Sequence, residues 1–297
     1  MFGKRKKEPQ SEINIQRNVS HTVVRTVPEI ITCKYSATGN RKYQQDAVYV
    51  SGSKKIAANR KTRVMAAVCD GMGGMADGEK ASRTAITMLK DGFEKIEKDP
   101  NVNIPLFFQS GIKAIDKVIH DFHEEGEKGS GTTMVAVITE ENRLYWASVG
   151  DSRIYLLRGD EIKLVTRDHN YYLRLMQMVE NGSMTKEEAM RHRQKEALIS
   201  FLGIGNVKLM DVIDKPFEMQ TGDMVLLCSD GVTKTLSKDR IKMILKNDAV
   251  SMQKKAEILV EAAVRENTHS QDNTSVALLQ YIETVSYTHL TLPTTPY

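Results

Sequence analysis

Arg63-Val64-Met65-Ala66-Ala67-Val68-Cys69-Asp70-Gly71-Met72-Gly73-Gly74 is a short apolar run that ends on a carboxylate and a glycine-rich turn. So brief a run, bounded by turn residues, reads as a buried strand over Arg63–Cys69 with Asp70 at its mouth. Working outward, similar runs rich in Val, Ile and Leu predict strands over Ile30–Tyr35, Ala47–Ser51, Thr132–Thr139, Arg143–Val149, Arg153–Arg158 and Glu161–Leu164. Val212–Glu218, Met224–Cys228 and Ser275–Tyr281 follow. Apolar residues three and four apart predict helices over Gly78–Lys98, Pro105–Glu125, His169–Asn181, Thr185–Lys195, Ser237–Lys246 and Ser251–Glu266. Thr185 with Glu188 makes a capping box, and Ser237 a weaker helix start. Helices come in pairs after groups of strands, which disfavours βαβ alternation. The order favours an α+β architecture of antiparallel sheets packed together with helices outside.

The 297 residues are 40% hydrophobic and 27% charged, as expected of a globular chain able to bury a core. No apolar run is long enough for a membrane span, and the basic start (Lys4, Arg5, Lys6, Lys7) has no apolar stretch behind it to make a secretory signal. Residues 1–28 read as a basic, disordered leader. Without interleaved aromatic residues its charge does not call for nucleic acid, and no membrane partner is expected. The Thr- and Pro-rich stretch 284–297 reads as a non-native tail. Between them, 29–283 read as one catalytic domain. Cys33, Cys69 and Cys228 are odd in number and widely spaced, which suits reduced thiols in the cytoplasm and gives no zinc spacing.

Five aspartates share one context, each at the end of a predicted strand or in the turn beside it: Asp46, Asp70, Asp151, Asp230 and Asp272. Singly, each is also what a turn would use. Together they pose an electrostatic problem. Two unit charges about 5 Å apart repel by roughly 3 kcal/mol at an effective dielectric near 20. Converging carboxylates therefore need protons or cations among them. An all-oxygen set selects hard ions, Mg²⁺ or Mn²⁺, and two such ions activate a water and neutralise phosphoryl charge without a covalent nucleophile. Arg41, whose planar fork suits a phosphate dianion, lies five residues before Asp46 and reads equally well as a surface arginine.

Read in order, the motifs resemble the type 2C metal-dependent serine/threonine protein phosphatases, in particular their bacterial members. They are Arg41 to Asp46, Asp70-Gly71-Met72-Gly73-Gly74 with Gly78-Glu79, and Ser130-Gly131-Thr132-Thr133. Next come Gly150-Asp151-Ser152-Arg153, Thr166-Arg167-Asp168-His169, Ser229-Asp230-Gly231 and Asp272-Asn273-Thr274-Ser275. The resemblance implies a four-layer α-β-β-α sandwich of two mostly antiparallel sheets. It implies that Asp70 bridges two Mn²⁺ or Mg²⁺ ions and that the Gly71 carbonyl ligates one of them. Asp230 and Asp272 complete one shell, Asp46 reaches the other ion through water, and Asp151 with Asp230 makes a weaker third site. Arg41 holds the substrate phosphate, and residues 169–195 form a flap beside the site. The implied substrates are phosphoserine and phosphothreonine proteins, with a serine/threonine kinase as natural partner. Independently of the resemblance, a monomer is expected.

Met72 departs from the pattern, standing where eukaryotic members carry a histidine proposed as general acid, so no side chain of that motif can protonate the leaving group. Two other readings compete. A catalytically weak, phosphoprotein-binding relative would have lost a metal aspartate, and none is lost. A dinucleotide-binding oxidoreductase would use Gly71-Met72-Gly73-Gly74-Met75-Ala76 with Asp91, but Asp70 would then face a pyrophosphate and βαβ alternation is missing downstream.

Overall fold

The computed structural model describes residues 21–57, 61–74, 77–122, 129–266 and 269–290. In chain order its elements are β1 (His21–Ala37), β2 (Asp46–Val50), β3 (Lys54–Lys55), β4 (Arg63–Met72), α1 (Asp77–Ile96), α2 (Ile104–His120), β5 (Gly131–Thr132) and β6 (Met134–Glu140). There follow β7 (Arg143–Val149), β8 (Arg153–Arg158), β9 (Glu161–Leu164), α3 (Tyr171–Glu180), α4 (Lys186–Arg191), β10 (Asp211–Val212) and β11 (Phe217–Glu218). The last are β12 (Met224–Cys228), α5 (Asp230–Thr233), α6 (Lys238–Leu245), α7 (Met252–Glu266) and β13 (Thr274–Leu290).

One sheet runs β3-β1-β13-β12-β8-β9 and the other β10-β7-β6-β4-β2. The pairs β2–β4, β4–β6, β6–β7, β8–β12 and β12–β13 are antiparallel. Alternation along β4 sets the layers, because successive side chains of a strand point to opposite faces. Val64, Ala66 and Val68 join Val135, Val137, Val225, Leu227, Ala277 and Leu279 in a core between the sheets. Met65, Ala67 and Cys69 pack the other way, onto Ala85 and Leu89 of α1 and Phe108 and Ile112 of α2. Beyond the second sheet, Leu226, Cys228 and Leu278 lie against Ile241, Leu259 and Val260 of α6 and α7. Three apolar cores separate four layers, the α-β-β-α order implied by the resemblance. Both faces of β4 and β12 are covered, which is why their sequences are continuously apolar rather than alternating.

Local chemistry fixes the element ends. The Asn103 side chain accepts from Leu106 N to cap α2, with Pro105 in its first turn, and the Thr185–Glu188 capping box of α4 is closed from both sides. Three expectations are corrected. The strand expected over Val212–Glu218 is two short pieces, β10 and β11, both on β7, because Pro216 cannot donate to a ladder. The strand expected over Thr132–Thr139 breaks at Thr133, whose hydroxyl and amide turn to the Asp70 backbone. The strands expected over Ile30–Tyr35 and Ser275–Tyr281 run longer, β1 from His21 and β13 to Leu290, within the leader and tail segments. These two strands are neighbours in the sheet, and a partner so distant in the chain leaves no local periodicity. The rest of both segments, residues 1–20 and 291–297, lies outside the described residues.

Residues 28–283 form one compact unit, and the described ends of β1 and β13 belong to another, where Thr284 Oγ1 donates to Val27 O at 3.1 Å. Among the described residues no helix is long and apolar enough to cross a membrane. The three cysteines are free and buried. Burial pushes the thiols of Cys33 and Cys228 up to about 11 and about 12 and raises that of Cys69, so none offers a thiolate at neutral pH.

Candidate active site

Antiparallel register places Asp46, the first residue of β2, directly opposite Asp70 near the end of β4. Residues so paired have Cβ atoms roughly 5 Å apart, and like charges there are destabilising. Asp151 sits in the turn between β7 and β8, Asp230 opens α5 directly after β12, and Asp272 lies just before β13. All five stand at strand ends of the two sheets. Asp70 is where their fields meet: burial raises its carboxyl well above the usual range, and the charges of Asp46, Asp230, Asp151 and Asp272 add to that rise. Burial pushes Asp46 up to about 7 against the pull of the nearby Ser275 and Ser229 hydroxyls, with Asp230 and Asp272 reinforcing the rise. Asp151 is raised to about 6, by burial first and by Asp230 next. The sequence-predicted aspartates are thus brought together.

The surrounding groups hold this cluster by backbone as much as by side chain. The Asp70 carbonyl accepts from Thr133 N at 2.9 Å and from Thr132 Oγ1 at 2.9 Å, while its amide donates to Thr133 Oγ1 at 3.1 Å. Ser229 Oγ donates to Asp46 Oδ2 at 2.8 Å and accepts from Ser275 N at 3.0 Å, tying the ends of β2, β12 and β13 together. Asn273 clamps the loop before β2, accepting from Gln45 N at 2.7 Å and donating to Thr38 O and Tyr43 O. Gly71 has no room for a side chain, because a Cβ there would lie 2.1 Å from Gly78 O and 2.6 Å from Gln45 O. Thr132, Thr133, Ser229 and Asn273 lay inside the motifs, but their positioning work was not legible. Each bonds to a residue tens or hundreds of positions away, and a hydroxyl or amide in a turn has many local uses.

Two cations touch the cluster. Arg41 is exposed and donates through Nη2 to Asp272 Oδ2 at 2.6 Å, while Lys234 Nζ pairs with Asp230 Oδ2. Residues 169–195 form a helical hairpin closed at its base by Tyr171 N to Ala197 O and Ile199 N to His169 O.

Whether the cluster suits divalent ions can be tested on its own atoms. As placed, no three His, Cys, Asp or Glu side chains among the described residues already grip one point. Ligation therefore requires side-chain rotation. The donor set nevertheless fits. Asp46 Oδ1 and Asp230 Oδ1 are buried without a hydrogen-bond partner, a costly condition for carboxylate oxygens. Every candidate donor is oxygen, the preference of Mg²⁺ and Mn²⁺. The cluster is short of positive charge, and that weighs more than the present rotamers.

The chain resembles known proteins in sequence and in fold. The family model described as protein phosphatase 2C matches residues 34–175. The serine/threonine phosphatase stp of Listeria innocua is 32% identical over 229 residues, covering 76% of this chain and 87% of that protein. The structure of the S. agalactiae serine/threonine phosphatase superposes with a TM-score of 0.70 at 26% identity, over 84% of this chain and 99% of that one. The catalytic domain of the serine/threonine protein phosphatase PstP, solved in complex with 2 manganese ions, is similar with a TM-score of 0.66 at 28% identity, over 86% of this chain and 99% of that one. Fold, motif order and likeness over most of both chains converge: this chain belongs to the protein phosphatase 2C family and is a protein phosphatase.

Proposed function

We propose that the chain hydrolyses phosphoserine and phosphothreonine in proteins with two divalent cations, Mn²⁺ or Mg²⁺, held in the aspartate cluster. The observation that carries this reading is the meeting of five carboxylates around Asp70, with buried oxygens of Asp46 and Asp230 left without partners. Asp70, the Gly71 carbonyl, Asp230, Asp272 and Asp46 would hold the ions. Asp151 stands beside Asp230 in the same cluster. When bound, the ions supply a nucleophile at neutral pH and compensation for charge on the phosphoryl oxygens.

The chain's own part is to hold and orient. The Thr132–Thr133 clamp fixes the Asp70 backbone, Ser229 holds Asp46, and Asn273 positions the loop that carries Arg41. Arg41, at the rim, exchanges its contact with Asp272 for the substrate phosphate. The hairpin 169–195 flanks the site as a flap. Met72 is half-buried and has no proton to give the leaving group. The partner is a phosphoprotein, and the reaction reverses a serine/threonine kinase. Three buried free thiols fit a cytoplasmic setting, with the monomer as the working form.

The test is hydrolysis of phosphoserine, phosphothreonine and phosphotyrosine peptides with each divalent ion added. Turnover of the first two is expected with Mn²⁺ or Mg²⁺ and none with a chelator in excess; activity that survives exhaustive chelation removes the two-ion scheme. Arg41→Ala is expected to raise KM about tenfold, the scale of one charge-assisted hydrogen bond at an exposed site, with a smaller change in kcat. Steady-state kinetics on one phosphopeptide reads both, and an unchanged KM counts against a phosphate contact.

A further inference from the structure

Asp230 begins α5, and the first residue after that single turn is Lys234, whose amide donates back to Asp230 O at 2.8 Å. Four residues apart on one helical turn, the two side chains lie on the same face, and Lys234 Nζ meets Asp230 Oδ2. The pair differs from an ordinary surface i,i+4 bridge in its surroundings. The Asp230 side chain is only 15% exposed, and beyond it stand Asp151 and Asp70. Partial burial works against the ammonium, yet the charges of Asp230, Asp151 and Asp70 outweigh it and hold Lys234 above the ordinary lysine range. In return, Lys234 pulls the Asp151 carboxyl down against burial and Asp230. The remaining carboxylate beside Asp151, Asp168, is already held by Arg153 through two hydrogen bonds of 2.9 and 2.7 Å.

We propose that Lys234 is a tethered cation serving the Asp151–Asp230 side of the cluster, so that this side takes no third divalent ion and the site operates with two. The inference rests on the two-ion reading above and goes beyond it. An ammonium fixed to α5 by its own stem neutralises the carboxylates without drawing on the metal in solution. It also repels a divalent ion that approaches them. On the opposite side of the cluster Asp46 Oδ1 is buried without a hydrogen-bond partner and keeps its demand for ions.

The experiment is titration of the full chain with MnCl₂ alone, without substrate, followed by calorimetry. It uses wild type, Lys234→Met (similar length, no charge), Lys234→Arg (charge retained) and the double variant Lys234→Met with Asp151→Asn. Wild type and Lys234→Arg are expected to bind two ions. Lys234→Met is expected to gain a third, weaker step, with Mn²⁺ affinity there at least about tenfold above any residual third step in wild type. The double variant is expected to lose that step again. A Lys234→Met isotherm superimposable on a two-ion wild type, or a wild type that already takes three ions, overturns the role given to Lys234 and leaves the two-ion reading standing. Absence of Mn²⁺ binding in every protein overturns the two-ion reading itself, and this inference with it.

Discussion

Asp70→Asn is expected to lower kcat by at least about 100-fold under saturating Mn²⁺ while leaving the fold intact. Loss of one preorganised electrostatic contact to a developing charge commonly lowers turnover by about 10²–10³-fold, and a bridging carboxylate serves both ions at once. The folded state should gain from the change. Asparagine keeps the shape and the backbone clamp of Thr132 and Thr133, but removes the charge that Asp46, Asp230, Asp151 and Asp272 all oppose. In excess chelator the variant is therefore expected to melt above wild type, and in Mn²⁺ below it. The pH dependence has a fixed sign. A carboxyl raised in the folded state contributes stability below the unfolded value, and that contribution is lost as pH rises through the folded value. For Asp151 and Asp46 those values are about 6 and about 7. Chelated wild type should thus lose melting temperature between pH 5 and pH 8, and Asp70→Asn should lose less. Wild-type turnover in the variant, or a chelated melting point that falls with the substitution, counts against Asp70 as the hub of the site.

The second large effect lies at the other end of β4. Arg63 is wholly buried, with its guanidinium on Glu140 Oε1 at 2.6 Å and on the carbonyls of Ile96 and Asp99, at 2.8 and 2.6 Å, where α1 ends. Glu140 is 4% exposed and also receives Lys61 and Arg143. Burial pushes its carboxyl up, but hydrogen bonds from Arg63 and Lys61 more than offset that and leave it below the ordinary range. Glu140→Ala strands a buried guanidinium, and breaking a buried pair by removing one partner costs about 3–5 kcal/mol. At about 2–4 °C per kcal/mol for a domain of this size, the melting temperature is expected to fall by roughly 10 °C. Chemical denaturation checks the free energy directly. A loss below about 1 kcal/mol would show that the helix-end carbonyls alone satisfy Arg63. The chemistry sits at the opposite end of the strand, so kcat at low temperature should change little.

These two ends of β4 differ in how far the chain itself announced them. The apolar run Val64–Cys69 declared a strand covered on both sides, and Asp70-Gly71 declared where it stopped, because burial and turn chemistry are local demands written into neighbouring residues. The same holds for β12 with Asp230 and for the capped helices α4 and α6. Five aspartates at strand mouths, and the motif order around them, were therefore legible before any coordinates. Arg63 gave no such signal. As the first residue of an apolar run it looks like a solvated strand end, and only the arrival of Glu140 and the end of α1 makes it a buried charge.

What the amino-acid order alone determined is the inventory: α+β elements, the strand-end carboxylates and the glycine-rich turn after Asp70. What the tertiary structure decided is adjacency. The antiparallel register that sets Asp46 beside Asp70, the Ser229 bridge between strand ends, the Asn273 clamp and the reach of Lys234 toward three carboxylates all depend on distances across the chain. Burial and turn preferences act over a few residues and leave a local pattern. Electrostatic repulsion and hydrogen bonding across a folded sheet act between residues up to hundreds of positions apart, and leave none.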